Sequence, residues 1–215
     1  LVIINFNKKF SSLKAEQFIK KIIYKKMKCR YLYVSKNFKF GHKRQGNLQT
    51  LKKFEKEYNY KNIITNPYKK NKKTISSTFI RKKIRAGKIK EVNKLLNRNW
   101  CIEGKVIKGK KRGRKIGFPT CNMTLGNYVI PKPGVYAVKV NSRSLSNDGI
   151  ANIGYRPTFK GQSLLLETNI FGINKNLYNK VIGVSFEKFI RPEKKFKNFE
   201  YLKKQIKLDI KQAKK

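Results

Sequence analysis

The chain has 215 residues and a mass of 25.2 kDa, 39% of it hydrophobic, which is enough for one large domain or two small ones with a true core. Its 54 lysines and arginines against 11 acids give a formal net charge of +43, which invites an anionic partner without compelling one. The basic residues are interleaved with aromatic and β-branched residues, which excludes disorder for most of the chain, and apolar runs no longer than Leu1 to Ile4 or Leu164 to Leu166 exclude a transmembrane helix of about 20 residues.

Leu1 is not a methionine and opens a strand-like run, so a portion N-terminal to it is expected. The run lacks the basic segment and cleavage site of a secretory signal. Val2 to Phe6 reads as a short strand, Ser12 as an N-cap, and Phe18, Ile22, Ile23 and Met27 recur on one helical face. Tyr31 to Val34 is a strand, Leu48, Leu51 and Phe54 stripe a second helix, and Asn62 to Thr65 is another strand, an α/β rhythm that predicts a parallel sheet. Ser77 can cap a helix carrying Ile80 and Ile84, Gly87 can end it, and Ile89, Val92, Leu95 and Leu96 stripe the next.

From Trp100 the texture changes. Ile102 to Lys108, Gly134 to Val140, Gly149 to Ile153, Leu164 to Phe171 and Val181 to Ile190 read as strands separated by turn residues, which predicts a closed or nearly closed β-barrel. From an Asn198 cap, Leu202, Ile206 and Ile210 define an amphipathic helix able to cover one side of it. The boundary is placed near Asn97 to Trp100, giving domains 1–98 and 99–215. Cys29, Cys101 and Cys121 are odd in number and lack CxxC or metal spacing, as expected of reduced thiols in a cytoplasmic protein.

Gly104 to Lys110 spells GxxxxGK, but Lys111 stands where a magnesium-holding Ser or Thr is needed and the intervening residues are strand-like, so the match is chance. The loop Gly109-Lys110-Lys111-Arg112-Gly113-Arg114-Lys115-Ile116-Gly117 is a better phosphate candidate, with glycines for close backbone approach and cations for charge; a solvated basic loop has the same composition. In Phe118-Pro119-Thr120-Cys121-Asn122 the proline stiffens an extended backbone on which Thr120 and Asn122 face the same way. Such neutral oxygens suit Mg²⁺ completed by nucleotide phosphates; a polar turn bonded to its own backbone is the equal alternative. Seven carboxylates remain for acid-base work. Asp148 reads as part of an Asn-Asp-Gly turn, and Glu200 and Asp209 as surface charges on the last helix. Glu167 lies mid-strand among apolar residues, where a charge is costly unless it faces a polar cavity, which makes it the leading base; an outward carboxylate paired with lysine fits the alternation as well.

Taken in order, these segments resemble the riboflavin kinase module: Gly104 to Gly109 with Arg112-Gly113-Arg114, Gly117 to Asn122, Pro131, Gly134-Val135-Tyr136-Ala137, Asn152-Ile153-Gly154 with Arg156-Pro157-Thr158-Phe159, Leu166-Glu167, Leu177-Tyr178, and Ile190-Arg191 with Phe196. The set covers nearly all of Trp100 to Ala213; Cys121 departs from the family's usual alanine. The resemblance implies a six-stranded antiparallel barrel with a C-terminal helix, using ATP as co-substrate and converting riboflavin to FMN. It implies that the glycine-arginine loop (Gly109, Arg112, Gly113, Arg114, Gly117) covers the nucleotide, that Thr120 and Asn122, stiffened by Pro119, engage Mg²⁺ and ATP phosphates, and that Glu167 is the base on the ribityl 5′-hydroxyl. Asn152, Arg156 and Arg191 are implied in mobile loops or flavin contacts.

The first half resembles the later part of the FMN adenylyltransferase module of bacterial bifunctional FAD synthetases, a partial Rossmann-like nucleotidyltransferase domain. Asn37-Phe38-Lys39-Phe40-Gly41 with Arg44 and Gly46 is similar to its flavin-side motif, and Ser76-Ser77-Thr78 with Arg81 to its triphosphate-binding helix start. The family's paired-histidine motif has no counterpart, since His42 is the only histidine, so FMN without FAD is expected from this polypeptide. The rival reading is a basic β-barrel that binds nucleic acid through aromatics such as Tyr136 and Phe159. It ranks second, because lysine and isoleucine enrichment runs through core and surface alike. No specific nucleic acid and no membrane partner are expected.

Overall fold

The computed structural model describes residues 2–70, 73–109, 111–158, 161–173 and 175–214. By contacts the chain divides into two units, Leu1–Ile75 and Ser76–Lys215, each with its own buried cluster.

In the first unit Val2 to Phe6 forms no strand: no described strand runs beside it, and Ile3 and Phe6 stay exposed. Asn7 caps a first helical turn, Lys8–Ser11, which ends at Ser12 with its hydroxyl donating to the Lys8 carbonyl at 2.9 Å; the helix carrying Phe18 starts after Lys14, so Ser12 is not its N-cap. The helix proper follows Lys14 and continues as a π-helix over Ile19–Lys26 that buries Ile19, Ile22 and Ile23; Met27, at its end, is half exposed. The sheet is parallel as expected: β1 (Tyr31–Ser35) pairs with β2 (Lys61–Thr65) in the register Tyr31↔Lys61 to Ser35↔Thr65. Between them α1 (Leu48–Lys53) starts at Asn47, whose side chain accepts from the Thr50 amide. Ile19, Ile23, Val34, Phe40, Leu51 and Tyr60 form the core, and burial pushes the Tyr60 phenol up to about 12 while its hydroxyl donates to the Leu51 carbonyl at 2.5 Å.

The second unit begins with α2 (Ser77–Arg85), capped by Ser76 rather than Ser77, and α3 (Ile89–Leu96). Gly87 turns the chain between them at φ +71°, a conformation that costs glycine nothing. Ile84, Ile89 and Val92 are buried in the same cluster as Trp100, Ile102 and Phe186 of the sheet, and Asn93 bonds both the Phe186 carbonyl and the Trp100 amide. By contacts these helices therefore go with the sheet, although the change of sequence texture falls after them. The sheet has six strands, β3 (Trp100–Lys105), β4 (Cys121–Thr124), β5 (Gly134–Ser142), β6 (Leu145–Thr158), β7 (Gly161–Ile170) and β8 (Val181–Arg191), in the antiparallel order β3-β8-β5-β6-β7-β4. A bridge between Ile107 and Asn122 joins the segment after β3 to the last strand, curling the sheet towards closure. Asp148 lies within β6 opposite Lys139; the turn is at Arg143-Ser144, where the hairpin pair Ser142↔Leu145 closes, and not at Asn-Asp-Gly. The chain ends in α4 (Phe199–Ala213), whose cap is Asn198 as expected.

Candidate active site

Strand alternation builds the site. Along β7 the residues Leu166, Thr168 and Ile170 are buried in the core, which sends Leu165, Glu167 and Asn169 to the opposite face. Glu167 stands directly opposite Asn122 of β4 and Asn152 of β6, so an amide, a carboxylate and an amide form one cross-strand row. A cavity of about 740 Å³ opens over this row, within the range of small-molecule sites. Its lining is polar at Thr120, Asn122, Glu167 and Asn169 and apolar at Phe199, Leu202 and Ile206 of α4. Glu167 is half-buried and borders this cavity.

Asn122 is 8% exposed, and its Oδ1 has no hydrogen-bond partner among the described residues. A buried carbonyl oxygen of this kind costs free energy comparable to a lost hydrogen bond unless something occupies it. Gly109 lies against the same side chain so closely that a Cβ would fall 1.6 Å from Asn122 Nδ2, so the glycine serves approach to Asn122. Gly113 has the same function against the Phe118 carbonyl, where a Cβ would sit at 2.3 Å, and its own carbonyl accepts from the Phe118 amide. Asn169 Nδ2 donates to the Pro119 carbonyl at 2.7 Å and so ties the Phe118 to Thr120 segment to β7. Cys121 remains an ordinary thiol, its pKa pushed up by burial.

The sequence-derived residues are distributed unevenly. Gly109, Gly113, Thr120, Asn122, Asn152, Glu167 and Arg191 line the one cavity. Arg114 and Pro119 line an adjoining groove of about 730 Å³ with Lys111, Lys175, Asn176 and Tyr178. Gly117 lines neither and supplies a turn at φ +88°. The side chains of Arg112 and Arg156, and the whole of Phe159, lie outside the described residues. Asn37 and Phe38 border a groove of about 480 Å³ in the first unit, whereas Gly41 holds a φ of +75° against Ala15. Ser76 caps α2 and Arg81 bonds the Ser77 hydroxyl at 3.3 Å; Thr78 follows within the same first turn.

Asp209 requires correction. It is 2% exposed, not a surface charge, and it accepts from Arg191 Nε and Nη2 at 2.7 to 3.1 Å and from Gln205 Nε2 at 2.9 Å. It falls seven residues after Leu202, which places it on the inner face of α4; that spacing was the available signal. Asn169, two residues after Glu167 on the same strand face, was likewise within reach of strand periodicity. Glu193 also borders the cavity, accepting from Asn152 Nδ2 at 3.3 Å, and carries no comparable signal because it sits in an irregular segment.

Residues 96–215 match the family model described as riboflavin kinase, and residues 1–79 the model described as FAD synthetase. Over its whole length the chain is 42% identical to the bifunctional riboflavin kinase/FMN adenylyltransferase of Buchnera aphidicola from Schizaphis graminum and 37% identical to that of Haemophilus influenzae, covering 70% of each. Among solved structures it superposes on a Streptococcus pneumoniae chain described as a macrolide-efflux protein, with a TM-score of 0.85, 32% identity, and coverage of 98% of this chain and 68% of that one. No helix among the described residues is long and apolar enough to cross a membrane.

Proposed function

The chain belongs to the bifunctional riboflavin kinase/FMN adenylyltransferase family, and from this we infer that its second unit transfers the γ-phosphoryl group of ATP to riboflavin. The ribityl hydroxyl oxygen forms the new bond to phosphorus, the bond from phosphorus to the β-γ bridging oxygen breaks, and ADP leaves with FMN formed. The observation that carries the site is the row Asn122, Glu167, Asn152 beneath the cavity, with Asn122 Oδ1 buried and without a hydrogen-bond partner among the described residues.

Glu167 receives the hydroxyl proton as attack proceeds, a step that asks only for a carboxylate within reach of the nucleophile. The orphaned Asn122 oxygen and the neighbouring Thr120 hydroxyl are neutral oxygen donors of the type Mg²⁺ accepts, so these two residues would hold it. The ion supplies charge neutralisation on the β and γ phosphate oxygens when bound. Gly109, Gly113 and Arg114 order the loop beside the phosphates. Asn152, Arg156 and Arg191 serve the flavin end. Phe199, Leu202 and Ile206 of α4 offer apolar contact to a ring system.

The domain assignment that accompanies this reading is an adenylyltransferase portion over 1–98 and a kinase over 99–215. For the first portion, Asn37 and Phe38 are assigned to flavin, with Gly41 shaping the turn that follows them in the chain; Ser76, Ser77, Thr78 and Arg81, at the start of α2, are assigned to triphosphate. His42, the sole histidine, is held at the Ser11 carbonyl by Nδ1 at 3.2 Å. Incubating the purified 215-residue protein with riboflavin, ATP and magnesium and separating the flavins by chromatography tests both halves. FMN without FAD is expected; absence of FMN rules the kinase reading out.

A further inference from the structure

Asp209 is the one buried carboxylate among the described residues, and the phosphoryl transfer derived above makes no use of it. A carboxylate taken from water costs several kcal/mol unless its oxygens are satisfied. Here both oxygens are engaged: Oδ1 by Arg191 Nε at 2.9 Å and Gln205 Nε2 at 2.9 Å, Oδ2 by Arg191 Nε at 3.1 Å and Nη2 at 2.7 Å. The fork joins the last residue of β8 to the inner face of α4, and both partners border the cavity. Arg191 Nη1 donates to the Pro192 carbonyl at 3.0 Å, so the guanidinium is held along two of its edges. Its carbon lies 5.8 Å from the centre of the Phe196 ring, another cavity residue. A guanidinium fixed in its own plane in this way has a flat face to offer an aromatic ring, while most of its donors towards an anion are spent.

We propose that Asp209 is a positioning residue for the flavin: it locks the Arg191 guanidinium so that its face stacks on the flat ring of riboflavin, on the α4 side of the cavity. The inference rests on the kinase reading above. It differs from a purely structural ion pair in one respect. A structural pair can be replaced by apolar residues of similar volume without loss, often with a gain in stability, whereas a positioning pair cannot be replaced without loss of flavin affinity.

Two variants of the full chain separate these cases, Asp209→Asn and the double Arg191→Met/Asp209→Leu. Thermal unfolding, riboflavin affinity by quenching of flavin fluorescence, and KM for riboflavin and for ATP are measured beside the parent. The double variant is expected to unfold near the parent's temperature, while both variants raise the riboflavin KM by roughly tenfold and leave the ATP KM within about twofold. A folded double variant with the parent's riboflavin KM overturns the proposal, as does an equal loss towards ATP. Failure of both variants to fold overturns it too, since the pair would then serve the fold alone. A parent that makes no FMN would instead count against the kinase reading, and the fluorescence measurement would still decide whether the pair governs flavin binding.

Discussion

At the scale of single residues, the site depends on which neighbours each side chain meets, and composition is a poor guide to that. Glu167 and Asp209 are both carboxylates in a chain with 54 cationic residues, yet one borders a cavity half-buried and the other is sealed into an ion pair. Glu167 was legible because strand alternation leaves only two faces for it. Asp209 was misread because a charge on a helix with a polar face is ordinarily solvated, and only the packing of α4 shows which arginine meets it. Replacing Glu167 by Gln keeps shape and hydrogen bonding but removes the proton acceptor, so kcat should fall by about 10² to 10⁴-fold with riboflavin affinity largely kept; unchanged turnover would remove it from the chemistry. Asn122→Ala deletes the orphaned oxygen and should raise the magnesium-dependent KM for ATP roughly tenfold, the worth of one contact to a charged group. Steady-state kinetics at varied magnesium measures both.

Among the elements, those with strong periodicity were read from the sequence nearly to the residue: β1, β2, α3, β5, β8 and α4 lie where hydrophobic pattern and turn residues place them. Misreadings concentrate at starts and edges. Ser12 and Ser77 read as caps, but the helix carrying Phe18 starts after Lys14 and Ser76 caps α2, since only the backbone path selects which residue stands at a helix start. Val2 to Phe6 has strand composition without a neighbouring strand, and a strand is defined by its partner. The cap of α4 offers a test at this scale. Asn198 accepts from the Tyr201 amide at 3.1 Å and fixes the turn that carries Phe199 and Leu202 over the cavity. Asn198→Ala should cost about 1 kcal/mol of stability and weaken riboflavin binding more than ATP binding, read by thermal unfolding and by the two KM values. An equal effect on both substrates would detach α4 from the flavin end.

At the scale of the whole chain, texture and contacts divide the molecule at different places. The sequence changes character near Asn97 to Trp100, but Ile84, Ile89 and Val92 are buried in the core of the sheet unit, and each buried aliphatic side chain is worth about 1.5 to 3 kcal/mol. A fragment of residues 76–215 should therefore fold and make FMN, whereas residues 99–215 should unfold at a distinctly lower temperature. Equal melting temperatures for the two fragments, measured by circular dichroism, would show the helices to be dispensable. The net charge of +43 predicts weak, salt-sensitive sticking to polyanions at the level of the molecule.

Most of the elements, the family and the candidates Thr120, Asn122 and Glu167 are legible in the sequence, because periodicity, turn chemistry and ordered motifs are local properties that survive without a folded context. Tertiary structure alone decided that Asn122, Glu167 and Asn152 stand in register, that Gly109 is needed against an asparagine, and that Asp209 holds Arg191. Those facts depend on strand pairing and helix packing between residues far apart in the chain, and in a sequence so rich in lysine and arginine, charge complementarity cannot single out a partner before the backbone has chosen who is near.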